Sequence, residues 1–406
     1  MWLEISIFTT RTATFPTVGF HFIFLAAHYS YTLYTSVKDF PPEWDTIAAA
    51  NIFLSRSGLA VLEKAAPANM KCHFLGIFAE DILCGIALIQ YINLAGVTTF
   101  QDKKKSFSIK EYLFKKFTSN TLFIGNNTLT GQNAYLLTSH ISEREALYQM
   151  QKALKELEKD YKSKGTKISL LAIKDFNDKE FPDFKAAGFS NFYTFSTQPN
   201  MIFVIKKEWD TIEDYLAALT TKYRTQHNRA RKKATSITKQ KFTVSDIVKY
   251  RVRLHELYRT VADRASFNTF YLPENHFEVM KQELGSNFLL YGYFYDDNLV
   301  GFSTLIKNGK DIDTYFLGYD ERVQRNKMLY LNMLYDMIAY GIKKQYTNII
   351  FARSAMEIKS SIGAVAEPVY GIIKHTNPLI NLFMSKLFTY FDPKVAWKPR
   401  NPFKTL

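Results

Sequence analysis

Two stretches of the chain carry the same rhythm of apolar and polar positions. HFLGIFAEDILCGIALI (73–89) and LLYGYFYDDNLVGFSTL (289–305) superpose so that Gly76, Phe78, Asp81, Leu83 and Gly85 fall on Gly292, Phe294, Asp297, Leu299 and Gly301. Each stretch predicts a strand, an acidic turn and a second strand. With the first turn at Glu80 and Asp81, Cys84 is expected opposite Ile77 and Cys72 opposite Ile89, so the two thiols do not meet. A second match sets TLFIG (121–125) on TYFLG (314–318), and a third sets KISLLA (167–172) on NIIFA (348–352), with Gly188 falling on Gly363. Three matches in one order are the mark of an internal duplication, with chance similarity as the alternative.

Between the second and third blocks each half has a helix pattern. Ser142 with Glu145 reads as a capping box, Leu147, Met150, Leu154, Leu157 and Tyr161 form one apolar stripe, and Gly165 stops the helix. The counterpart runs from about Lys327 to Gln345, with Leu331, Leu334, Ile338 and Ile342 facing inward. The order in both halves is hairpin, strand, helix, strand, which describes an α/β unit used twice, each a mixed sheet with a crossover helix. MIFVI (201–205) reads as the strand that closes the first unit.

Length and composition then bound the class. With 406 residues, 47% of them hydrophobic, the chain is long enough for two or three cored domains. The reading divides it into an N-terminal extension of 33 residues, a first unit over 34–208, a second over 209–392 that begins with a basic helix over 210–240, and a basic, proline-containing strap over 393–406. The apolar run Phe15–Ala27 is shorter than the roughly 18 residues that cross a bilayer. Two cysteines exclude a disulfide scaffold and fit a reducing, cytoplasmic setting.

The net charge of +14 favours anionic partners (RNA, acidic carriers, acidic lipid) or serves solubility alone; DNA is not expected. Half of that surplus lies in KYRTQHNRARKKATSITK (222–239), where Lys222, Arg224, Arg229, Arg231, Lys232, Lys233 and Lys239 meet no acidic residue. This is either a solvated face or an anion site. The nucleophile elbow, the metal-binding HExxH and CxxC spacings, the P-loop and the dinucleotide turn are all missing, so no metal is expected.

The doubled element order, the basic junction helix, and the phrases FNTFYLP (267–273), DTYFLGYDE (313–321) and FARSAMEIKSSIGA (351–364) resemble the FemAB-related branch of the GNAT N-acyltransferase superfamily, over about 370 residues. The resemblance implies tandem GNAT-like units, each a mixed, mainly antiparallel sheet with flanking helices and a splayed parallel strand pair. It implies an acyl or aminoacyl group moving from CoA, acyl carrier protein or aminoacyl-tRNA to an amine, either small or lipid-linked. The splayed pair would be Asp313–Gly318 and Asn348–Ala352, with the second unit catalytic because Phe184 in the first stands where many members have an acidic tyrosine.

On this reading Glu357 takes the amine's proton, or simply supports a helix start, and Lys359 is an exposed cation for a phosphate or oxyanion. Arg229, Lys232, Lys233, Gln324, Arg325, Lys327, Tyr315 and Arg353 would hold the donor; Asn268, Phe270 and Tyr271 would line the acceptor site. The stretch from Gln324 to Leu329 lacks the glycines of the family's CoA loop, so acetyl-CoA is not singled out as donor. The protein is expected in the cytoplasm or on the inner face of the membrane. The rival reading is a non-catalytic binder of RNA or anionic lipid on a decayed transferase fold.

Overall fold

The computed structural model describes residues 28–97, 99, 109–177, 181–196, 198–392 and 396–404. The expectations for residues 1–27, including the apolar run Phe15–Ala27, fall outside them. The first eight strands are β1 (Tyr29–Tyr34), β2 (Met70–Ala79), β3 (Ile82–Asn93), β4 (Asn120–Ile124), β5 (Tyr135–Leu137), β6 (Leu170–Phe176), β7 (Tyr193–Ser196) and β8 (Asn200–Val204). The next eight repeat the series: β9 (Thr238–Lys241), β10 (Phe288–Tyr295), β11 (Asn298–Asn308), β12 (Asp311–Thr314), β13 (Gly318–Tyr319), β14 (Asn348–Ile350), β15 (Val365–Glu367) and β16 (Tyr370–His375).

One sheet runs β1-β2-β3-β4-β6-β16-β7 and the other β9-β10-β11-β12-β14-β8-β15, with β5 and β13 pairing to β3 and β11. Among the described residues each sheet has one parallel pair, β4 with β6 and β12 with β14. The two orders are the same series once β8 and β16 are exchanged. Contrary to the sequence reading, then, β8 closes the second sheet, pairing Ile349 with Phe203, and β16 returns to the first. A division at 208/209 therefore separates neither sheet cleanly, and the first sheet already starts at Tyr29. Exchanged strands carry main-chain hydrogen bonds from one half to the other, so each half completes the other's sheet.

The hairpins share their irregularities. Glu80 and Asp81 have φ of 47° and 67°, and Asp296 and Asp297 have 48° and 59°. Two consecutive left-handed residues suit a two-residue hairpin turn, and aspartate, which fills three of these four positions, tolerates that conformation. Ile77 pairs with Gly85 but Phe78 with Leu83, which leaves Cys84 as a bulge; Val300 is left out in the same way between Tyr293–Gly301 and Phe294–Leu299. The bulge moves the expected register by one residue, so that Cys72 faces Gln90 and not Ile89.

Register also corrects the second sequence match. Ile124 pairs with Ile89 and Thr314 with Leu305, and the hairpins equate Ile89 with Leu305. Ile124 therefore matches Thr314, three residues from the match suggested by TLFIG and TYFLG. Carried across the parallel pairs, Phe123–Ala172 and Asp313–Ile350, the same register equates Asp175 with Arg353.

Helix Glu143–Ser163 buries its stripe of Leu147, Met150, Leu154, Leu157 and Tyr161 on the first sheet. Ser142 accepts from the Glu145 N–H at 3.2 Å, but the Glu145 carboxylate turns to Gln149, so the capping box is only half formed. Helix Leu329–Lys343 packs Leu331, Leu334, Ile338 and Ile342 on the second sheet. The basic segment is not one helix: Ile212–Ala218 and Thr221–Lys233 are separate, and Lys239 belongs to edge strand β9. The strap crosses the second unit, where the Phe403 ring lies against Trp209 and Tyr215 and over Gly363, at φ 104°, leaving no room there for a Cβ.

Candidate functional site

The parallel pair β12 and β14 holds only as far as Asp313 and Ile350. Beyond it each strand keeps its outer neighbour. The Tyr315 N–H donates to Thr304 O on β11 at 3.3 Å, and the Phe351 N–H donates to Met201 O on β8 at 2.8 Å. The ladder between β12 and β14 ends there, while each strand stays bonded on its outer edge. The first sheet does the same after Ile124 and Ile173, where the Gly125 N–H donates to Leu88 O at 3.0 Å.

Both gaps open into one cavity of about 1170 Å³, lined among others by Phe123, Lys174 and Asp175 from the first unit and Asp313, Tyr315 and Arg353 from the second. The duplicated positions Asp175 and Arg353 meet there as an ion pair, and Lys174 also pairs with Asp175. Lys174 and Asp175 are buried. By formal count the cluster sets two basic groups against one carboxylate. Burial and the neighbouring Arg353 charge hold the Lys174 ammonium well below its usual pKa, and burial lowers Arg353 to about 10.

Asp313 stands where the strands part. Its carboxylate is buried and accepts from Asn308 Nδ2 at 3.4 Å, a long bond that compensates little of the lost hydration. Burial, helped by Asp311, raises its pKa to about 7. A carboxyl poised there exchanges a proton near neutral pH.

The loop after β14 is unusual. Ala352, Ser354 and Ala355 all have positive φ, at 56°, 67° and 47°, each costing about 1–2 kcal/mol for a non-glycine residue. What holds it is Lys359, whose Nζ donates to Phe351 O at 2.6 Å, Arg353 O at 2.7 Å and Ala352 O at 3.3 Å. The loop turns three carbonyls toward one ammonium and so presents the Arg353 side chain to Asp175. Replacing Lys359 by Met keeps the stem and removes the donors. It is expected to cost about 2 kcal/mol or more in urea unfolding, since three buried carbonyls lose a charged partner.

Behind the cavity wall, His276 Nδ1 lies 2.7 Å from Ala65 O and Nε2 lies 3.1 Å from the Tyr315 hydroxyl. A carbonyl only accepts, so Nδ1 carries the proton and Nε2 accepts from Tyr315. Complete burial lowers this histidine to about 4, which keeps it neutral.

No protein-family model matches the chain, and no curated protein matches it. Among solved structures, FemX aligns over 88% of this chain and 100% of its own, with a TM-score of 0.54 at 11% identity. A tandem GNAT protein from the clavulanic acid biosynthesis pathway, solved without AcCoA, covers 86% of this chain and 99% of its own, at TM-score 0.49 and 10% identity. L-PGS from Bacillus licheniformis covers 82% and 96%, at 0.44 and 11%. The chain has the fold of FemX.

Within this fold the residues singled out from the sequence separate into two groups. Tyr315, Arg353, Glu357, Lys359, Asn268 and Phe270 line the cavity. Glu357 is exposed and ion-paired with Arg400 of the strap. Lys359 is buried, contrary to the expectation of an exposed cation, and burial lowers its pKa to about 7. Tyr271 is not among the lining residues and lies under the Arg259 guanidinium, 3.9 Å from its ring centre.

The basic residues are elsewhere. Arg229, Lys232 and Lys233 lie on the exposed face of helix Thr221–Lys233 and do not line the cavity. Arg231 and Lys239 are spent on Asp336, at 2.8 and 3.2 Å. Helix Glu321–Lys327 also misses the cavity lining. Gln324 accepts the Tyr330 N–H at 3.3 Å, Arg325 pairs with Glu321, and Lys327 Nζ donates to Ser236 Oγ at 3.0 Å. Gln324 thus occupies a backbone N–H at the start of the next helix that a phosphate would otherwise use.

Sequence reading overlooked Lys174, Asp175, Asp313 and His276. A charged pair closing an apolar strand, in LLAIKDF, and an acid alternating with Ile312 were the available signals. Among the described residues no group of three or more metal-ligating side chains occurs, and no helix is long and apolar enough to cross a membrane.

Proposed function

We propose that the chain is an acyl- or aminoacyl-transferase that works where the β12–β14 gap meets the cavity. The observation that carries this reading is the buried Asp313 carboxyl at the mouth of the parted strands, with a pKa near 7. A carrier-borne ester or thioester would enter the gap. The acceptor amine attacks the carbonyl carbon, a C–N bond forms, and the carbon's bond to the carrier oxygen or sulfur breaks. Asp313 takes the amine's proton and the departing group is protonated in turn, so Asp313 is free for the next cycle.

Asp313 fits this task better than Glu357, because the Glu357 carboxylate is exposed and occupied by Arg400. Arg353 and Lys174 would stabilise negative charge on the substrate, Lys359 positions Arg353, and Asn268 and Phe270 border the acceptor. Arg229, Lys232 and Lys233 would meet the body of an anionic carrier such as acyl carrier protein or tRNA outside the cavity.

The test supplies acyl-CoA, acyl carrier protein and aminoacyl-tRNA donors with a mixture of amines and reads N-acylated product by mass spectrometry. Product is expected with at least one donor, and Glu357→Gln is expected to retain it within about threefold. Absence of product with every donor overturns the reading, and loss of product in Glu357→Gln returns the proton-acceptor role to Glu357.

A further inference from the structure

A residue of the first unit reaches the Asp313 carboxyl of the second through one amide. Asn308, the last residue of β11, donates from Nδ2 to Asp313 Oδ2 at 3.4 Å, and its Oδ1 accepts the Ile52 N–H at 3.0 Å across 256 positions of chain. A backbone N–H only donates, so the atom that faces Ile52 is the amide oxygen, and the nitrogen is left for the carboxyl. Without that N–H the amide is free to turn over and set its oxygen against the carboxylate. Among the described residues Asn308 is the hydrogen-bond donor to this carboxyl.

Ile52 is held in its turn. It opens the short helical turn Ile52–Leu54, whose capping residue Asn51 accepts the Phe53 N–H at Oδ1, 3.0 Å, and donates from Nδ2 to Asn133 Oδ1 at 2.8 Å. Asn133 then donates to Gly131 O at 3.2 Å. Asn51 and Asn133 are buried, and Thr130 in the same loop lines the cavity. Every amide in this series meets a group that only donates or only accepts, so the bonds run in one sense. A fully oriented buried network holds its members in one arrangement.

The charged groups on the neighbouring elements do not take Asn308's place. Asp311, on the same side of β12 as Asp313, accepts from Asn348 Nδ2 of β14 at 2.8 Å. Lys307 of β11 lies opposite Ile312 in the register, and Lys310 stands in the turn between β11 and β12. Lys174, Asp175 and Arg353 share the cavity and pair with one another.

We propose that Asn308 is a positioning residue for the Asp313 carboxyl, and that the first unit takes part in the reaction by fixing the Asn308 amide through the Ile52 N–H. The first unit then does more than complete a sheet, because its N–H keeps a donor turned toward the proton acceptor. A donor on a carboxylate favours the charged form, so losing it lets Asp313 keep its proton to higher pH. The catalytic meaning rests on the transferase reading, whereas the hold on Asp313 does not.

Three variants of the full chain test this. Ile52→Pro removes the N–H with little demand on the backbone, since proline suits the first position of a helical turn and Asn51 before it is already extended, at φ −149° and ψ 105°. Asn308→Leu removes the donor. Asn308→Asp keeps an oxygen for Ile52 and sets a second carboxylate against Asp313. Each is made with and without Asp313→Asn and unfolded in urea from pH 4 to pH 9. The pH at which Asp313→Asn stops gaining stability over its parent reports the folded-state titration of Asp313, near 7 in the wild type. That pH is expected to rise by about one unit in Ile52→Pro and in Asn308→Leu, and by more in Asn308→Asp. Ile52→Pro added to Asn308→Leu is expected to move it no further, because both act through one amide. In amine acylation, kcat/KM of Ile52→Pro and Asn308→Leu should fall about tenfold at pH 6 and stay within about twofold of the wild type at pH 9.5.

A titration that stays in place in both Asn308 variants overturns the proposal. One that moves in Asn308→Leu but not in Ile52→Pro overturns the first unit's part in it. A fall in kcat/KM by the same factor at every pH, with the titration unmoved, reduces Asn308 to packing. A wild type that acylates no amine removes the transferase reading, and the urea titration still decides whether Ile52 and Asn308 hold Asp313.

Discussion

Asp313→Asn is expected to lower the rate of amine acylation by about 100-fold or more while making the folded chain more stable at pH 8. The loss follows from removing the proton acceptor, whose contribution is of order 10²–10⁴. The gain follows from linkage. The Asp313 carboxyl titrates near 3.8 when unperturbed and near 7 in the folded chain. Between those values the folded state binds the proton and the unfolded state does not, so the wild-type stability falls as pH rises through that window and is flat above it. Asparagine has no charge to desolvate. The advantage of the variant should therefore be absent near pH 4, grow toward pH 7, and reach on the order of a few kcal/mol. Urea unfolding at pH 5 and pH 8 measures it, together with a wild-type kcat/KM that rises through about pH 7. A variant no more stable than the wild type at pH 8 would mean that the Asp313 carboxylate is well solvated, and its place at the centre of the mechanism would be lost.

Asp175→Asn should act in the opposite sense on stability. The wild-type carboxylate pairs with Lys174 and Arg353, and its backbone sits at φ 73°, a conformation that asparagine adopts as readily. The substitution therefore leaves the chain path alone and strips two cations of their counter-charge. Lys174 Nζ keeps only a neutral contact, Asn126 O at 3.2 Å, in place of the carboxylate. Removing one partner of a buried pair costs about 3–5 kcal/mol, because the remaining charge stays desolvated. Urea denaturation at pH 7 should show that loss, and Lys174→Met combined with Asp175→Asn should recover most of it. A loss under about 1 kcal/mol in the single variant would show that water already reaches the cluster.

The same pair shows why the functional centre was only partly legible beforehand. Asp175 and Arg353 are 178 positions apart, and nothing in either local pattern announces that they touch. They occupy matching places in the two units, and opposite charges there tie the units together. Lys359 stands out in the sequence as a candidate cation, but its burial does not, because a short charged helix start reads as exposed. The basic run at 222–239 is conspicuous in charge density, yet charge density reports where cations are tolerated in water, and only the packing of Tyr223, His227 and Ala230 inward decided which side they face.

The amino-acid order by itself determined the two-unit plan: matched glycines, acidic turns and apolar alternation are local preferences, set by backbone sterics and by the period of strand and helix. The tertiary structure decided the exchange of β8 and β16, the one-residue bulges, the parting of β12 from β14 and the charge cluster between the halves. Those depend on which of several acceptable partners a hydrogen-bonding edge finds, and a chain declares its preferences residue by residue but its partners only when the whole sheet closes.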